Sequence, residues 1–316
     1  MNSYKNAIIF GGTGLVGKYL LSHLRKKNIR CIVASRDPFS KAYTLKTQTQ
    51  PGFLEFIKFD LDHLDEVKKA ISNSHIVINL IGTLHANKKK FFRTHADIPE
   101  ILSKLCKENN VEKFILCSAL GADKNSKSFY KISKAEGEER ALSNFENTVI
   151  IRPSVLEATE SMLSNLYATI ASFSPIIPVP KMNTYKIQPL MADDCAKAIV
   201  SAIKTKDNSK AIYELGGNKI YTFGEYVNLI LKIIRKKRIV MDMPMSLAKL
   251  QSSIFSILPF KPLISRDQCI ILEEKDNVVS GKHLSFQDLN IKPTDVEKEM
   301  ERFLWRHRAS GEFSKA

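Results

Sequence analysis

Three glycines spaced three apart, Gly11, Gly14 and Gly17, stand in the run Ile8-Ile9-Phe10-Gly11-Gly12-Thr13-Gly14-Leu15-Val16-Gly17, between an apolar stretch and a helical pattern. Glycine at that spacing lets a chain leave a strand sharply, bring bare amides against a pyrophosphate, and pack the next helix closely. The helix N-terminus adds unpaired N–H groups and partial positive charge. The chemistry on offer is dinucleotide binding. Ser35-Arg36 follows the next apolar run, Cys31-Ile32-Val33-Ala34. An acidic residue there would accept from a ribose 2′-hydroxyl, whereas the planar fork of Arg36 suits a 2′-phosphate. Lys18 offers a second positive charge, and Asp37 follows Arg36 directly. These residues favour NADP(H) over NAD(H).

Two more places fit the same ligand. Phe59-Asp60-Leu61-Asp62 puts Asp60 where a short side chain can meet the adenine, and Asn79-Leu80-Ile81-Gly82 supplies a glycine beside the cofactor. Both close apolar runs, and open α/β sheets bind ligands at the carboxyl ends of their strands. In Phe129-Tyr130-Lys131-Ile132-Ser133-Lys134, Tyr130 and Lys134 are four apart and share a helix face. A cation beside a phenol favours its ionised form, so Lys134 is expected to bring Tyr130 toward acid–base use near neutral pH. Ser118 ends another apolar run and can hydrogen-bond a carbonyl or hydroxyl of a substrate. The seven histidines show no metal-ligand spacing.

The elements that must position these residues alternate. Apolar runs at Ala7–Phe10, Arg30–Ala34, Leu54–Phe59, Ile76–Leu80, Phe114–Cys117 and Val149–Ile151 predict strands. Helical patterns at Leu15–Lys27, His63–Ser72, Phe92–Asn109 and Ser128–Leu142 lie between them. Continuous apolar runs are what strands covered on both faces require. The expected fold is α/β: a Rossmann-type, doubly wound parallel sheet in residues 1–153, completed by segments within 185–215. A smaller, mainly helical C-terminal lobe, 154–316, then faces substrate, partner or membrane. The prolines of Ser174–Pro180 forbid a regular helix where the chain leaves the sheet. Beyond it, helices are predicted over Asp193–Ile203, Thr222–Arg235, Met245–Leu258 and Thr294–His307, with Ala211–Leu215 extended.

The chain has 316 residues, 44% hydrophobic, which is enough for a sizeable core and excludes disorder as its main state. Five scattered cysteines without a CxxC pair point away from a disulfide framework or zinc ribbon and toward a reducing compartment. The apolar run at Ala7 leaves no room for a signal peptide, and no later stretch reaches membrane-spanning length, so any membrane contact is expected to be peripheral.

A net charge of +15 asks for a polyanionic neighbour or a plain solvated surface. Lys232, Arg235, Lys236, Lys237 and Arg238 cluster at a helix end. Next to them Leu247, Leu250, Ile254, Ile257 and Leu258 share one helical face. The pair reads either as an ordinary core face with a solvated terminus or as an interfacial helix drawn to anionic lipid. Nucleic acid fits less well, because no stacking aromatic platform interleaves the charges.

The glycine loop, Asp60, Asn79 to Gly82, Ser118, Tyr130 with Lys134, and Arg152-Pro153 together resemble the extended and atypical short-chain dehydrogenase/reductase superfamily. The second half narrows this. Gln188-Pro189-Leu190-Met191-Ala192-Asp193-Asp194, Tyr213 to Gly217, Tyr221-Thr222-Phe223, Arg266-Asp267-Gln268, Asp276 to Ser280 and Leu304-Trp305-Arg306 are similar to the bacterial relatives of the dehydrogenase-like accessory subunit of respiratory complex I.

The resemblance implies cofactor contacts at Thr13, Leu15, Val16, Leu61, Ile81 and Pro153. It also implies Tyr130 as acid/base, Lys134 on the nicotinamide ribose and as tuner of Tyr130, and Ser118 orienting the substrate. It further implies a mainly structural NADP(H), complex I partners, and a place in the cytoplasm or peripheral on the cytoplasmic face of the inner membrane, or on the matrix side if organellar. Because Tyr130 and Lys134 are both present, a free-standing NADP-dependent reductase or epimerase on a small carbonyl, sugar or quinone compound stays open, as does an NADP(H) redox sensor.

Overall fold

A computed structural model describes residues 5–38, 45, 52–205, 207–257 and 264–309. Seven parallel strands form the central sheet. They are β1 (Asn6–Phe10), β2 (Arg30–Ser35), β3 (Leu54–Lys58), β4 (Ile76–Asn79), β5 (Lys113–Cys117), β6 (Thr148–Pro153) and a last strand, Ile212–Leu215. Their spatial order runs Ile212–Leu215, β6, β5, β4, β1, β2, β3. The order reverses between β1 and β4, which pair in parallel from Ala7 with Ile76 to Phe10 with Asn79. Such a reversal opens a crevice at the carboxyl ends of the two strands.

The apolar runs are continuous because both faces are covered. Ala7 and Ile9 pack under the helices Leu15–Arg25 and Ala192–Lys204. Ile8 and Phe10 point the other way, into a core shared with Asp65–Ser72, Ile98–Glu108 and Phe129–Asn144. Helix Leu15–Arg25 buries Val16, Leu20, Leu21 and Leu24 as one stripe.

The helix expected over Phe92–Asn109 is interrupted. Lys88–Phe92 and Ile98–Glu108 are joined by a π-helical turn, Arg93–Asp97. Pro99 has no N–H for an ordinary bond to the His95 carbonyl, and the backbone widens there, so that Ile98 N–H reaches Arg93 O. That turn carries His95 inward.

A third core belongs to the lobe, where Met162–Phe173, Phe223–Ile233 and Val296–Leu304 pack around Tyr167, Tyr226, Ile230 and Met300. Ser174–Pro180 is non-helical, as its prolines require. Ile176–Pro180 is instead a strand paired in parallel with Ile239–Met243, and two further two-stranded sheets complete the lobe. Tyr221-Thr222-Phe223 opens its helix with a capping box between Thr222 and Glu225.

Candidate functional site

The glycine loop lies in the crevice between β1 and β4. Gly11 has φ +75°, and a Cβ there would stand 3.1 Å from the Leu80 carbonyl carbon and the Ile81 nitrogen, so the turn rests directly on the end of β4. A Cβ on Gly17 would lie 2.1 Å from Gly12 O, which is how closely helix Leu15–Arg25 crosses its own approach. Gly14 is the N-cap and has no side chain to offer; no acidic residue stands in the first turn. The leading amides at Leu15 and Val16 therefore meet no carboxylate of their own helix. Thr13 is half-buried in the turn.

Around this loop the remaining positions divide. Arg36 is exposed just past β2, with Asp37 beside it. Lys18, four residues past Gly14, has its Nζ bonded to Glu160 Oε1 at 2.6 Å, tying the first helix to the lobe. Asp60 Oδ1 accepts from Asp62 N–H at 3.1 Å, and that bond, with Lys58 and His63 nearby, holds its carboxyl below the usual carboxylate range. Leu61 and Ile81 pack on the core beneath the sheet. Asn79 is fully buried; its Oδ1 accepts from Ile81 N–H at 3.0 Å, while its Nδ2 has no partner. Buried donors are seldom left so.

The second group gathers at the ends of β5 and β6. Ser118 N–H donates to Ile151 O at 2.7 Å, and Pro153 O accepts from Leu120 N–H at 3.1 Å, which fixes the loop between the two strands. Ser118 Oγ is buried and, like Asn79 Nδ2, unpartnered. Lys134 Nζ donates to Cys117 O at 3.1 Å and lies 3.6 Å from where a Cβ on Gly82 would be. Burial lowers the Lys134 pKa. The Cys195 thiol nearby lowers the Cys117 pKa, while Cys117 and burial raise that of Cys195.

Tyr130 is half-buried, edge-on to His95 at 5.3 Å and to Phe91 at 6.0 Å. Its pKa moves opposite to the expectation from Lys134. Burial raises it, and Cys117 and Asp267 raise it further.

His95 is a residue that spacing gave no reason to single out. Its Nε2 accepts from Thr83 N–H at 3.1 Å, so the proton sits on Nδ1 and is donated to Ser133 Oγ at 3.0 Å. Ser133 Oγ donates in turn to Tyr130 O at 2.9 Å. Burial, then Lys134, pushes the imidazole down to about 2, so it stays neutral. The chain of bonds fastens the Gly82–Thr83 loop to the Tyr130 helix.

The basic and amphipathic segment forms a separate surface on the lobe. Lys236 Nζ donates to Ser172 Oγ and Arg238 Nε to Ala171 O, so part of the cluster serves the carboxyl end of the neighbouring helix Met162–Phe173. Among the described side chains of helix Met245–Ile257, Ala248 and Ser252 are buried, whereas Leu247 and Leu250 are more than half exposed. The side chains of Ile254 and Ile257, and all of Leu258, lie outside the described residues. Phe173, 87% exposed, together with Ile176, Ile239 and Met241, adds apolar area at the adjoining strand pair. No helix among the described residues is long and apolar enough to cross a membrane. Among the same residues, no group of three or more His, Cys, Asp or Glu side chains is placed to hold a metal ion.

Comparison with known proteins bears on both halves. The sequence model of the family described as "NAD dependent epimerase/dehydratase family" matches residues 7–216. The protein of Mus musculus named NADH dehydrogenase (ubiquinone) 1 alpha subcomplex subunit 9, mitochondrial, is 29% identical over 304 residues, 96% of this chain and 80% of its own. The protein of the same name from Arabidopsis thaliana is 30% identical over 316 aligned positions, 96% of this chain and 78% of its own. Among solved structures, a UDP-N-acetylglucosamine 4-epimerase from Methanobrevibacter ruminantium, in complex with UDP-N-acetylmuramic acid, superposes with a TM-score of 0.69 at 17% identity. It covers 96% of each chain and shares the fold.

Proposed function

This chain belongs to the NAD dependent epimerase/dehydratase family, and from that premise we propose that it is an NADP(H)-holding accessory or assembly protein of respiratory complex I. The observation that carries this reading is the reach of the likeness. The family description ends at residue 216, whereas the similarity to complex I subunits runs through the lobe, over 96% of the chain. In this reading residues 1–153, with helix Ala192–Lys204 and strand Ile212–Leu215, form the cofactor domain, and the rest of residues 154–316 forms the partner-facing lobe.

The donor set fits an anionic dinucleotide: a helix N-terminus without a carboxylate cap, an exposed Arg36, and an unpartnered Asn79 Nδ2 beside the loop. Gly11, Thr13, Gly14, Leu15, Val16 and Gly17 hold the pyrophosphate, with Lys18 at the edge of that loop and Glu160 as its present counter-ion. Arg36 takes a 2′-phosphate, and Asp60 and Leu61 lie at the adenine. Asn79, Ile81, Gly82, Lys134 and Pro153 line the nicotinamide end. When bound, the nicotinamide supplies hydride chemistry. The surface of Phe173, Ile239, Leu247 and Leu250 beside Lys237 and Arg238 supports peripheral docking at an anionic membrane face, each basic residue contributing about 1 kcal/mol near such a surface.

Native separation of gently solubilised membranes tests the reading. The protein is expected to migrate with complex I, and its deletion is expected to impair that complex. Migration apart from an intact complex I sinks it.

Tyr130, Lys134 and Ser118 at the ends of the same strands favour a second reading, a reductase or epimerase with Tyr130 as acid/base. That reading requires turnover that collapses in Tyr130→Phe; cofactor oxidation by no member of a broad carbonyl, sugar and quinone panel counts against it.

A further inference from the structure

Four motifs of the second half, those with Gln188, Glu214, Asp267 and Asp276–Ser280, meet in one strap. Ser265 and Gln268 form a capping box that starts the helix Arg266–Glu273, and this helix lies against the beginning of helix Phe129–Asn144. Asp267 accepts three bonds there: from Phe129 N–H at 2.7 Å on Oδ1, and from Ser128 Oγ at 2.7 Å and Tyr130 N–H at 3.3 Å on Oδ2. Glu274 takes the preceding loop, accepting from Lys127 N–H at 2.7 Å, Ser126 Oγ at 2.8 Å and Lys131 Nζ at 3.1 Å.

The strap continues into the strand ends. Asp276 Oδ1 accepts from Lys186 N–H, Asn277 O from Gln188 N–H and from Ser154 Oγ, and Glu214 Oε2 from Ser280 N–H. Gln188 Oε1 accepts from Val279 N–H. The segment therefore runs from the turn that carries the phenol to the end of β6, and its carboxylates fill the amides that open the Tyr130 helix.

We propose that Asp267 is a positioning residue for Tyr130, delivered by a strap of residues 264–280 through which the C-terminal lobe sets the turn bearing the phenol. Two consequences follow from where its atoms lie. The first-turn amides of this helix are satisfied by a carboxylate of the chain itself, so no anionic ligand is drawn to them. A fixed negative charge also stands beside Tyr130 and opposes a second one on the phenol. Movement of the lobe would release both constraints at once, because Asp267 and Glu274 are held in one short helix and its end. The inference concerns the chain alone and stands or falls without complex I and without the identity of the nucleotide.

The test compares Asp267→Asn, Asp267→Glu and Glu274→Gln in the full chain. Hydrogen exchange is followed at residues 126–132, and the Tyr130 phenol by its ring resonance, assigned by its loss in Tyr130→Phe. In Asp267→Asn the amides are expected to exchange about tenfold faster, and Tyr130 to ionise at a lower pH than in the native chain. Asp267→Glu is expected to restore part of both. Faster exchange with an unmoved phenol midpoint reduces Asp267 to a helix cap and overturns the proposal, as does no change in either. Should Asp267→Asn fail to fold, Glu274→Gln decides: loosening that spreads to residues 128–131 supports the strap, and a change confined to Lys127 overturns it.

Discussion

Two helices of this protein begin in the same way, directly after a parallel strand and its loop, and their N-termini end up as opposites. That of Leu15–Arg25 is headed by glycine, carries no acidic residue and has a buried, unpartnered Asn79 Nδ2 nearby. That of Phe129–Asn144 is headed by Ser128, whose hydroxyl accepts from Lys131 N–H, and is closed by a carboxylate from far along the chain. Every helix start presents amides that need acceptors. Where no described residue supplies a carboxylate, the amides are open to a ligand; where Asp267 supplies one, the position is taken. The difference separates a place built to hold an anion from a place built to hold still. It is in keeping with the proposed accessory role, in which the nucleotide is held and Tyr130 is not turned over.

The largest effect expected from disturbing the open end comes from Gly17→Ala. The new Cβ would have to displace Gly12 O from 2.1 Å, and with no flexible side chain to give way the backbone must move. Overpacking of this kind costs roughly 2–3 kcal/mol. It should lower Tm and weaken nucleotide binding at least about 100-fold, since the shift tilts the amides that meet the phosphates. Calorimetry with and without nucleotide measures both. Unchanged affinity would mean the open N-terminus is not the phosphate site. Next in size is Arg36→Gln, expected to weaken NADPH about 10- to 100-fold, the range for charge-assisted hydrogen bonds, while leaving NADH nearly unaffected. Equal losses for both nucleotides would show that Arg36 does not meet a 2′-phosphate.

The open end was far more legible in the sequence than the closed one, for a physical reason. A glycine loop, its strand and its helix are neighbours along the chain, so Gly11 to Gly17 announce themselves within a dozen residues, and the parallel sheet follows from the alternation of strands and helices. Asp267 acts across 138 residues on Phe129. Nothing local to Arg266-Asp267-Gln268 says what it caps, although the Ser265-x-x-Gln268 box marks a helix start. Helix Met162–Phe173 escaped for another reason: its outer face carries only the uncharged Asn165, Thr169 and Ser172, bordered by exposed Met162 and Phe173, and its inner face includes Ser164, so polarity marks its period weakly. Glu160, which binds Lys18 from beyond the sheet, is likewise out of reach of a local reading.

The junction between the two ends can be tested by acid. His95 is held neutral in the fold at a pKa of about 2, whereas an unfolded histidine titrates near 6.5. Because the folded value is the lower one, the unfolded chain takes up the proton first. The stability due to neutral His95 is complete above pH 6.5 and is lost as pH falls, by about 1.4 kcal/mol per unit, or roughly 2 kcal/mol at pH 5. His95→Gln should therefore lie below the native chain in stability at pH 7.5 but show a flatter decline between pH 6.5 and 5 in urea titrations. Parallel declines would mean that His95 is protonated in the fold, and the bond from Thr83 N–H to Nε2 could not then exist.

The smallest expected effect has the most informative sign. Ser118 Oγ is buried with no partner, and such a hydroxyl costs about 1 kcal/mol or more that an alanine does not incur. Ser118→Ala should raise the Tm of the ligand-free chain by a few degrees at most. If the hydroxyl exists to meet a ligand, the same variant should gain less stability than the native chain on addition of that ligand, so the two curves approach or cross. A lower Tm without ligand would mean that an internal water already satisfies Ser118, as it would a structural serine. A higher Tm with an undiminished response to NADPH would leave Ser118 facing a substrate and not the cofactor. That outcome would set it with the closed end of the comparison, beside a Tyr130 that the chain holds in place.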